Sequence, residues 1–529
     1  MTASRRPGHA ARPPWRPACL LLPALLALGA CGMLPTPRAP ATAPPPAPPA
    51  AWSGAADAAL AQAGQGASLA AWWQRFGDER LVGLIEQALR ANHTVAGARA
   101  ALLQARATRD AAAAGLGVNV SLSASAQQNK VGTTAATETY NAGFTAAWEP
   151  DVFGLRRNAL AAGEAELRAS EVSLADVQLA VAAEVALDYI ALRGAQTRLA
   201  IARDNLANQL ETLQITDWRV QAGALTALEG EQARAASEQA AAQLPPLATS
   251  AAQLAHALAL LCGTTPDAMA ALLAQPAAVP QAGADLVLSL PADTLRQRPD
   301  VRAAEHRLNA ALARVSQADA ARYPAFRLEG SIGLRGLGIG SSNGTDLLRA
   351  LLASVTGQAF DGGASRAQVR LQQGVLAQTE AAYRGVVLTA LQEVEDALSA
   401  IGGERERLRR LGNAADAAGN AALLARQRYS SGLVDFQTVL ETQRSLYASQ
   451  DGVASTAAAL SADHVRLYKA LGGGWTPDSV ADGAKAGGAA TNAAAADAGG
   501  GSAAKAAGAG AASSSVATAP AASISKVSP

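Results

Sequence analysis

One setting in this 529-residue chain points to covalent chemistry, and it surrounds Cys31. Arg5, Arg6, Arg12 and Arg16 precede an apolar run from Cys19 to Ala30, and Leu28-Gly29-Ala30 leads directly into the cysteine. A run of that length is too short to span a bilayer and reads as an export signal. Small residues ending at a cysteine form a lipobox. Cys31 is therefore expected to carry a diacylglycerol on its sulfur and a palmitoyl chain on its freed amine. No other cofactor is expected. Cys262 stands alone, and His9, His93, His256, His306 and His464 show no metal-ligand spacing. No nucleophile motif or phosphate loop occurs, which argues against an enzyme. Gly336-Leu337-Gly338-Ile339-Gly340 has Ser341 where a dinucleotide loop needs its third glycine. Lys and Arg total 44 against 43 Asp and Glu, so no basic field invites nucleic acid. Glu441 and Arg444, three apart, share a helix face. Taken alone they make a commonplace surface ion pair worth little.

These residues hang on a chain that repeats itself. Trp148-Glu149-Pro150-Asp151-Val152-Phe153-Gly154 and the later Val220-Gln221-Ala222-Gly223 have counterparts in Phe360-Asp361-Gly362-Gly363 and Tyr429-Ser430-Ser431-Gly432. Gly154 to Gly223 and Gly363 to Gly432 span the same 69 residues, and the copies are offset by 209. A repeat of that size is a duplicated structural half, not a solenoid unit. No proline falls between Gly154 and Gly223, and a helix of that length reaches about 100 Å. Val185, Leu192, Leu199, Leu206, Leu213 and Val220 recur every seven residues, the seam of a left-handed coiled coil. The second copy keeps Val394, Ile401 and Leu408, then loses the pattern. The matched Gly194 and Gly403 are expected to mark local adjustments. Shorter helices are expected over 80–116 and 224–262 in the first half, and over 299–323 and 433–471 in the second. Stacked end to end beside the long helices, they put residues 51–79 and 263–295 in a belt around the middle. Gly223 and Gly432 become the helix-turn tips. Aromatics make up only 4% of the chain, so thin alanine-rich helices are expected, without a large aromatic core.

Each half also carries two alternating segments, at about 118–129 and 139–148, then about 326–335 and 350–359. Val118, Val120, Leu122, Ala124 and Ala126 oppose Asn119, Ser121, Ser123, Ser125 and Gln127. Tyr140, Phe144 and Trp148 oppose Asn141 and Thr145 in the same way. Strict alternation over this length suits a transmembrane barrel, although a one-sided soluble sheet alternates likewise. Four strands cannot close, so a barrel must be shared between chains; two chains give eight strands, which fill their own interior, and three give twelve. Lys130–Glu138 and Leu337–Thr345 read as hairpin loops. The resulting division is a signal peptide over 1–30, a lipidated cysteine and Pro/Ala tether over 31–51, and halves at 52–295 and 296–475. An Ala/Gly/Ser-rich tail over 476–529 cannot bury a core.

With these pieces in place the chain resembles the TolC-like outer-membrane efflux factors, in their OprM/NodT-type lipoprotein branch. The matching pieces are Trp148 to Gly154, Arg298-Pro299-Asp300-Val301, Ala304-Glu305, Tyr323-Pro324, Tyr429 to Leu433, and Lys469-Ala470-Leu471-Gly472-Gly473-Gly474-Trp475. They cover about Trp72 to Trp475. The resemblance implies a mainly α-helical fold with a transmembrane β-barrel: a homotrimer with a twelve-stranded barrel in outer-membrane lipid and a helical coiled-coil tunnel across the periplasm. It implies docking to a periplasmic membrane-fusion adaptor at tips that include Gly223, Gly432 and Leu433, and an inner-membrane pump of the resistance-nodulation-division type. It also implies that Tyr429, Glu441 and Arg444 constrict the periplasmic end, with Glu441 standing where the branch usually has aspartate. Gly32 after the cysteine, by likeness to bacterial lipoproteins, permits outer-membrane sorting. The function implied is a passive exit duct for small molecules. The alternative is the exit duct of a type I polypeptide secretion system, which lipidation and the branch motifs disfavour.

Overall fold

A computed structural model of the chain describes residues 49, 52, 69–133, 136–283, 291–339 and 342–475. Cys31, the signal peptide, all of the tether but Pro49, and the tail beyond Trp475 lie outside those residues. The order is a 3-10 turn at Leu69–Phe76, α1 (Glu79–Ala91), α2 (His93–Ala114), β1 (Asn119–Asn129), β2 (Thr137–Trp148), α3 (Leu155–Gln221), α4 (Ala227–Ala241) and α5 (Leu244–Leu261). It continues with α6 (Pro266–Leu273), α7 (Pro291–Gln297), α8 (Pro299–Ala320), β3 (Ala325–Ile339), β4 (Ser342–Thr356), α9 (Ala364–Ser430) and α10 (Phe436–Ala470).

The duplication shows most plainly in the backbone of the two long helices. α3 and α9 each run 67 residues without interruption, about 100 Å. Both start from a glycine in the left-handed region, Gly154 at φ 85° and Gly363 at φ 92°, which turns a strand into a helix within a few residues. An aspartate secures each start. Asp151 accepts the Arg157 amide at 2.7 Å, and Asp361 accepts the amides of Gly363 and Ser365, both at 2.8 Å. Bonds from Ser365 first, then backbone amides, hold the Asp361 carboxyl down at about 2.

The four strands form one antiparallel sheet in chain order. Its register sets apolar side chains across from each other: Leu122 beside Phe144, Phe144 beside Ile332, Trp148 beside Leu328. The alternate row pairs Ser123 with Gly143 and Arg335 with Asp346. The expected loop over 337–345 is instead almost all strand, since β3 reaches Ile339 and β4 begins at Ser342. Backbone pairing needs no side-chain pattern, so a Gly/Ser/Thr/Asn segment extends the ladder without showing alternation. Arg349 stands in the apolar row opposite Ile332, and Gln128, Glu138 and Asn343 fill the far end of that row.

Three further differences have local causes. The expected helix over 80–116 is two helices, because the Asn92 side chain accepts the amides of Thr94 and Val95 and caps a new start. The expected return helix over 224–262 is also two. Pro245-Pro246 sits in the first turn of α5, where its missing amides cost nothing. Gly194 does not break α3. A Cβ there would stand 2.9 Å from the Ala458 Cβ, so the glycine lets α10 approach α3 closely.

α8 packs on both α3 and α9, and α10 packs on both of them further along. With α2 beside α3 at one end and α4 and α5 beside it at the other, each level of the protomer is four helices wide. The described parts of both linkers pack at mid-length. There Trp72, Trp73 and Phe76 from one, and Met269 and Leu273 from the other, join Val185, Tyr189, Leu192, Val394, Ile401 and Tyr468 in the main core. The core as a whole is aliphatic and alanine-rich, with a local aromatic group that the composition does not reveal. Trp72 stacks on Tyr468 at 5.5 Å between centroids, with Trp73 and Phe76 edge-on to it. The aromatics are few, but they are concentrated at one level.

Candidate functional site

The two tips are the same device built twice. α3 ends at Gly223, φ 73°, and α9 at Gly432, φ 72°. Left-handed glycines let the chain fold back over the helix end, so that the Ala224 amide donates to the Arg219 carbonyl at 2.8 Å and the Leu433 amide to the Arg428 carbonyl at 2.9 Å. The return helices then start from designed caps. Thr226 and Glu229 form a reciprocal capping box at the start of α4, and Asp435 accepts the Thr438 amide at 2.9 Å at the start of α10. The Thr438 side chain and amide hold the Asp435 carboxyl below its ordinary range.

A small apolar cluster closes this end: Ala233, Ala236, Ala425, Tyr429, Phe436, Val439 and Leu440. Tyr429 is buried in it, its ring 5.8 Å from that of Phe436. Leu433 is 73% exposed, presented outward at the turn. Glu441 and Arg444 lie exposed on one face of α10, as their spacing requires. Within one protomer they do not pair with each other among the described residues. Gln437 donates to Glu441 at 3.0 Å instead. The structure therefore brings Tyr429 into the tip cluster and leaves Glu441 and Arg444 facing outward from it.

Sequence reasoning overlooked two features here. The first is Arg219, whose guanidinium lies 4.7 Å from the centroid of the Tyr429 ring. The repeat held the signal, because Arg219 and Arg428 occupy matching last turns, where a cation complements the helix dipole. The second is a buried polar seam. Gln209, Thr212, Thr216 and Gln443 are all at least nine-tenths buried. The Gln443 amide donates to the Thr212 hydroxyl at 3.3 Å, while the side-chain oxygens of Gln209 and Gln443 have no partner among the described residues. Here the signal was a second heptad row, Ala195, Ala202, Gln209 and Thr216, which turns polar below Leu206.

Elsewhere the reactive residue types are structural. Cys262 is buried, and burial pushes its thiol up to about 11, the opposite of an activated nucleophile. His464 lies between Leu460 and Arg405, and burial lowers its pKa. Among the described residues no cluster of His, Cys, Asp or Glu could hold a metal ion. Arg298 is clamped by Asp300 and Glu393, each at 2.7 Å, and donates to the Ala470 carbonyl at 2.9 Å. That makes it a strut between α8, α9 and α10.

The comparisons agree with this geometry. A family model described as outer membrane efflux protein matches residues 84–264 and 290–473, one block in each half. The outer membrane protein OprJ of Pseudomonas aeruginosa is 34% identical over 472 residues, covering 85% of this chain and 94% of the relative. The pyoverdine export outer membrane protein OpmQ of the same species is 33% identical, covering 87% of this chain and 97% of that one. Among solved structures, the outer-membrane channel OprN superposes with a TM-score of 0.77 at 34% identity, over 83% of this chain and 99% of its own.

Proposed function

We propose that this chain, which belongs to the outer membrane efflux protein family, forms the outer-membrane exit duct of a tripartite efflux assembly. One observation carries the reading. Each of the two long helices starts within eight residues of a strand of the four-stranded sheet. A sheet with one apolar face thus continues directly into helices about 100 Å long, a length that only a wide aqueous compartment requires.

The duct works as a homotrimer. One protomer supplies four strands with two unpaired edges, and unpaired backbone is not tolerated in lipid. Three copies close a twelve-stranded barrel around a wet lumen, the apolar row outward. Four helices at each level likewise become a ring of twelve. The exposed leucines Leu103, Leu371 and Leu388 along α2 and α9 support burial between protomers.

Lipidation of Cys31 by diacylglycerol and palmitoyl chains anchors the mature N-terminus in outer-membrane lipid, while the closed strands hold the barrel itself there. The tips around Gly223, Gly432 and Leu433 meet a periplasmic membrane-fusion adaptor. An inner-membrane pump of the resistance-nodulation-division type supplies energy, because a duct does no chemistry of its own. Tyr429, Glu441 and Arg444 guard the periplasmic end. In the ring, Glu441 and Arg444 face neighbouring protomers, and each charge-assisted bond contributes about 1–3 kcal/mol.

The cargo is small molecules, a reading supported by the relative named for pyoverdine export. A strain lacking the gene should accumulate an amphiphilic fluorescent dye severalfold over its parent, and the cloned gene should restore efflux. Unchanged dye accumulation combined with loss of a secreted polypeptide would instead support the type I secretion alternative.

A further inference from the structure

We infer that each protomer holds a binding cleft for an amphiphilic organic cation between α3, α9 and α10. The inference needs only the fold of one protomer and does not rest on the channel reading. A cavity of about 800 Å³ lies there, bounded by the three helices and by Ala278, Val279 and Gln281 in the linker after α6. That volume suits a drug-sized molecule. The sequence makes the room. Ala415, Gly419 and Ala422 line the cavity from one face of α9, and a Cβ on Gly419 would meet only the Leu446 Cδ1, at 3.8 Å. Both ends are closed. Towards mid-length, Gly194 lets α10 press onto α3 at Ala458, one residue past the cavity lining. Towards the tip, Gln443 reaches across to Thr212.

Two polar groups set the chemistry of the occupant. Gln443 lines the cavity and is more than nine-tenths buried. The Thr212 hydroxyl donates to the Asn208 carbonyl at 2.8 Å, so its contact with Gln443 at 3.3 Å is one it accepts, from the amide nitrogen. The Gln443 oxygen is thereby left as an acceptor, with no partner among the described residues. An occupant therefore has to bring an N–H or O–H donor. At the exposed mouth stands Asp204, which makes no ion pair among the described residues. The neighbouring cations are already committed, Arg426 to Glu211 at 2.7 Å and Arg198 to Asp451 at 2.7 and 3.0 Å. The carboxamides of Asn208 and Gln450 can turn either group towards a ligand and leave this balance unchanged. Ile201, Leu423, Leu446 and Val453 supply apolar walls. A carboxylate without a cation, apolar walls and an inner acceptor together select an organic cation that carries N–H groups, and they disfavour an anion.

The test uses the purified full-length protein in nanodiscs of zwitterionic lipid, with ethidium as the probe, a planar aromatic cation with amine N–H groups. Its fluorescence polarisation should rise saturably with protein, beyond the signal of empty nanodiscs. The aromatic anion anilinonaphthalene sulfonate should not displace it. Asp204→Asn and Gln443→Leu should each weaken binding roughly tenfold, and Gly419→Phe, which fills the cleft, should abolish it. Asp416→Asn removes an exposed carboxylate of α9 that does not line the cleft, and it should bind as the parent does. Heat resistance should stay at the parent's level in Asp204→Asn and Asp416→Asn, which separates loss of the ligand from loss of the fold. A parent without saturable binding overturns the inference and leaves the cleft to water. An Asp204→Asn variant that binds as tightly as the parent overturns it too, as does an Asp416→Asn variant that loses as much.

Discussion

The middle and the tip of α3 are parts of one unbroken helix with opposite construction. At mid-length Val185 and Leu192 are fully buried against aromatic rings from the linker before α1 and from α10. Nearer the tip the same heptad row continues as Leu199, Leu206, Leu213 and Val220, all only half-buried. Large apolar contacts give way to alanines, hydroxyls and amides. Tyr189 donates to Asp78 at 2.9 Å and tightens the middle further, whereas lower down the side-chain oxygens of Gln443 and Gln209 have no partner among the described residues. The difference is functional. The middle is packed densely, whereas the tip is held by contacts that can be exchanged, as the proposed opening there would require.

The largest expected effect probes the middle. Tyr468→Ala removes a ring stacked on Trp72 and packed on Phe76, and cavities of that kind cost about 3–5 kcal/mol. Heat resistance of the trimer should collapse. Little change there would mean that the aromatic collar is not what fixes the middle.

Charge at the middle gives a second, smaller handle. Burial, aided by Glu184, pushes the Asp188 carboxyl up to about 6, against about 3.9 for a free aspartate. A raised folded value means the charged form is disfavoured in the fold, so its cost is full above pH 6 and vanishes as pH falls towards 4. Asp188→Asn should therefore raise the melting temperature by a few degrees at pH 7.5 and leave it unchanged at pH 4. A gain that is equal at both values would assign the effect to packing and not to ionisation.

The smallest expected effect sharpens the account of the tip. Gln443→Leu removes an unpaired buried oxygen, and the Thr212 hydroxyl keeps its bond to the Asn208 carbonyl. The substitution should favour the closed end by about 1 kcal/mol, read as fewer spontaneous openings. More frequent openings would show that the amide itself holds the seam.

The contrast also marks how far the sequence could be read. The duplicated halves, both long helices and both tips were legible, because Gly154, Gly223, Gly363 and Gly432 mark turns that need special backbone. The aromatic collar was not, since Trp72 and Tyr468 are remote in sequence and meet only after the halves fold together. The Asn92 break was hidden inside a continuous helical pattern, and the glycine-rich extension of β3 and β4 shows no alternation. At the tip, Tyr429 and the Glu441–Arg444 face came from the family pattern, whereas Arg219 needed the cross-hairpin geometry.

One measurement bears most directly on the claim that this chain is a duct shut at its tip. Single-channel conductance in planar bilayers would be recorded for the parent, without adaptor, and for the Glu441→Ala, Arg444→Ala double variant. The parent should give small, mostly closed currents and the double variant larger, longer openings, with trimer heat resistance unchanged. A double variant that conducts like the parent would contradict it, and the gate would then lie elsewhere.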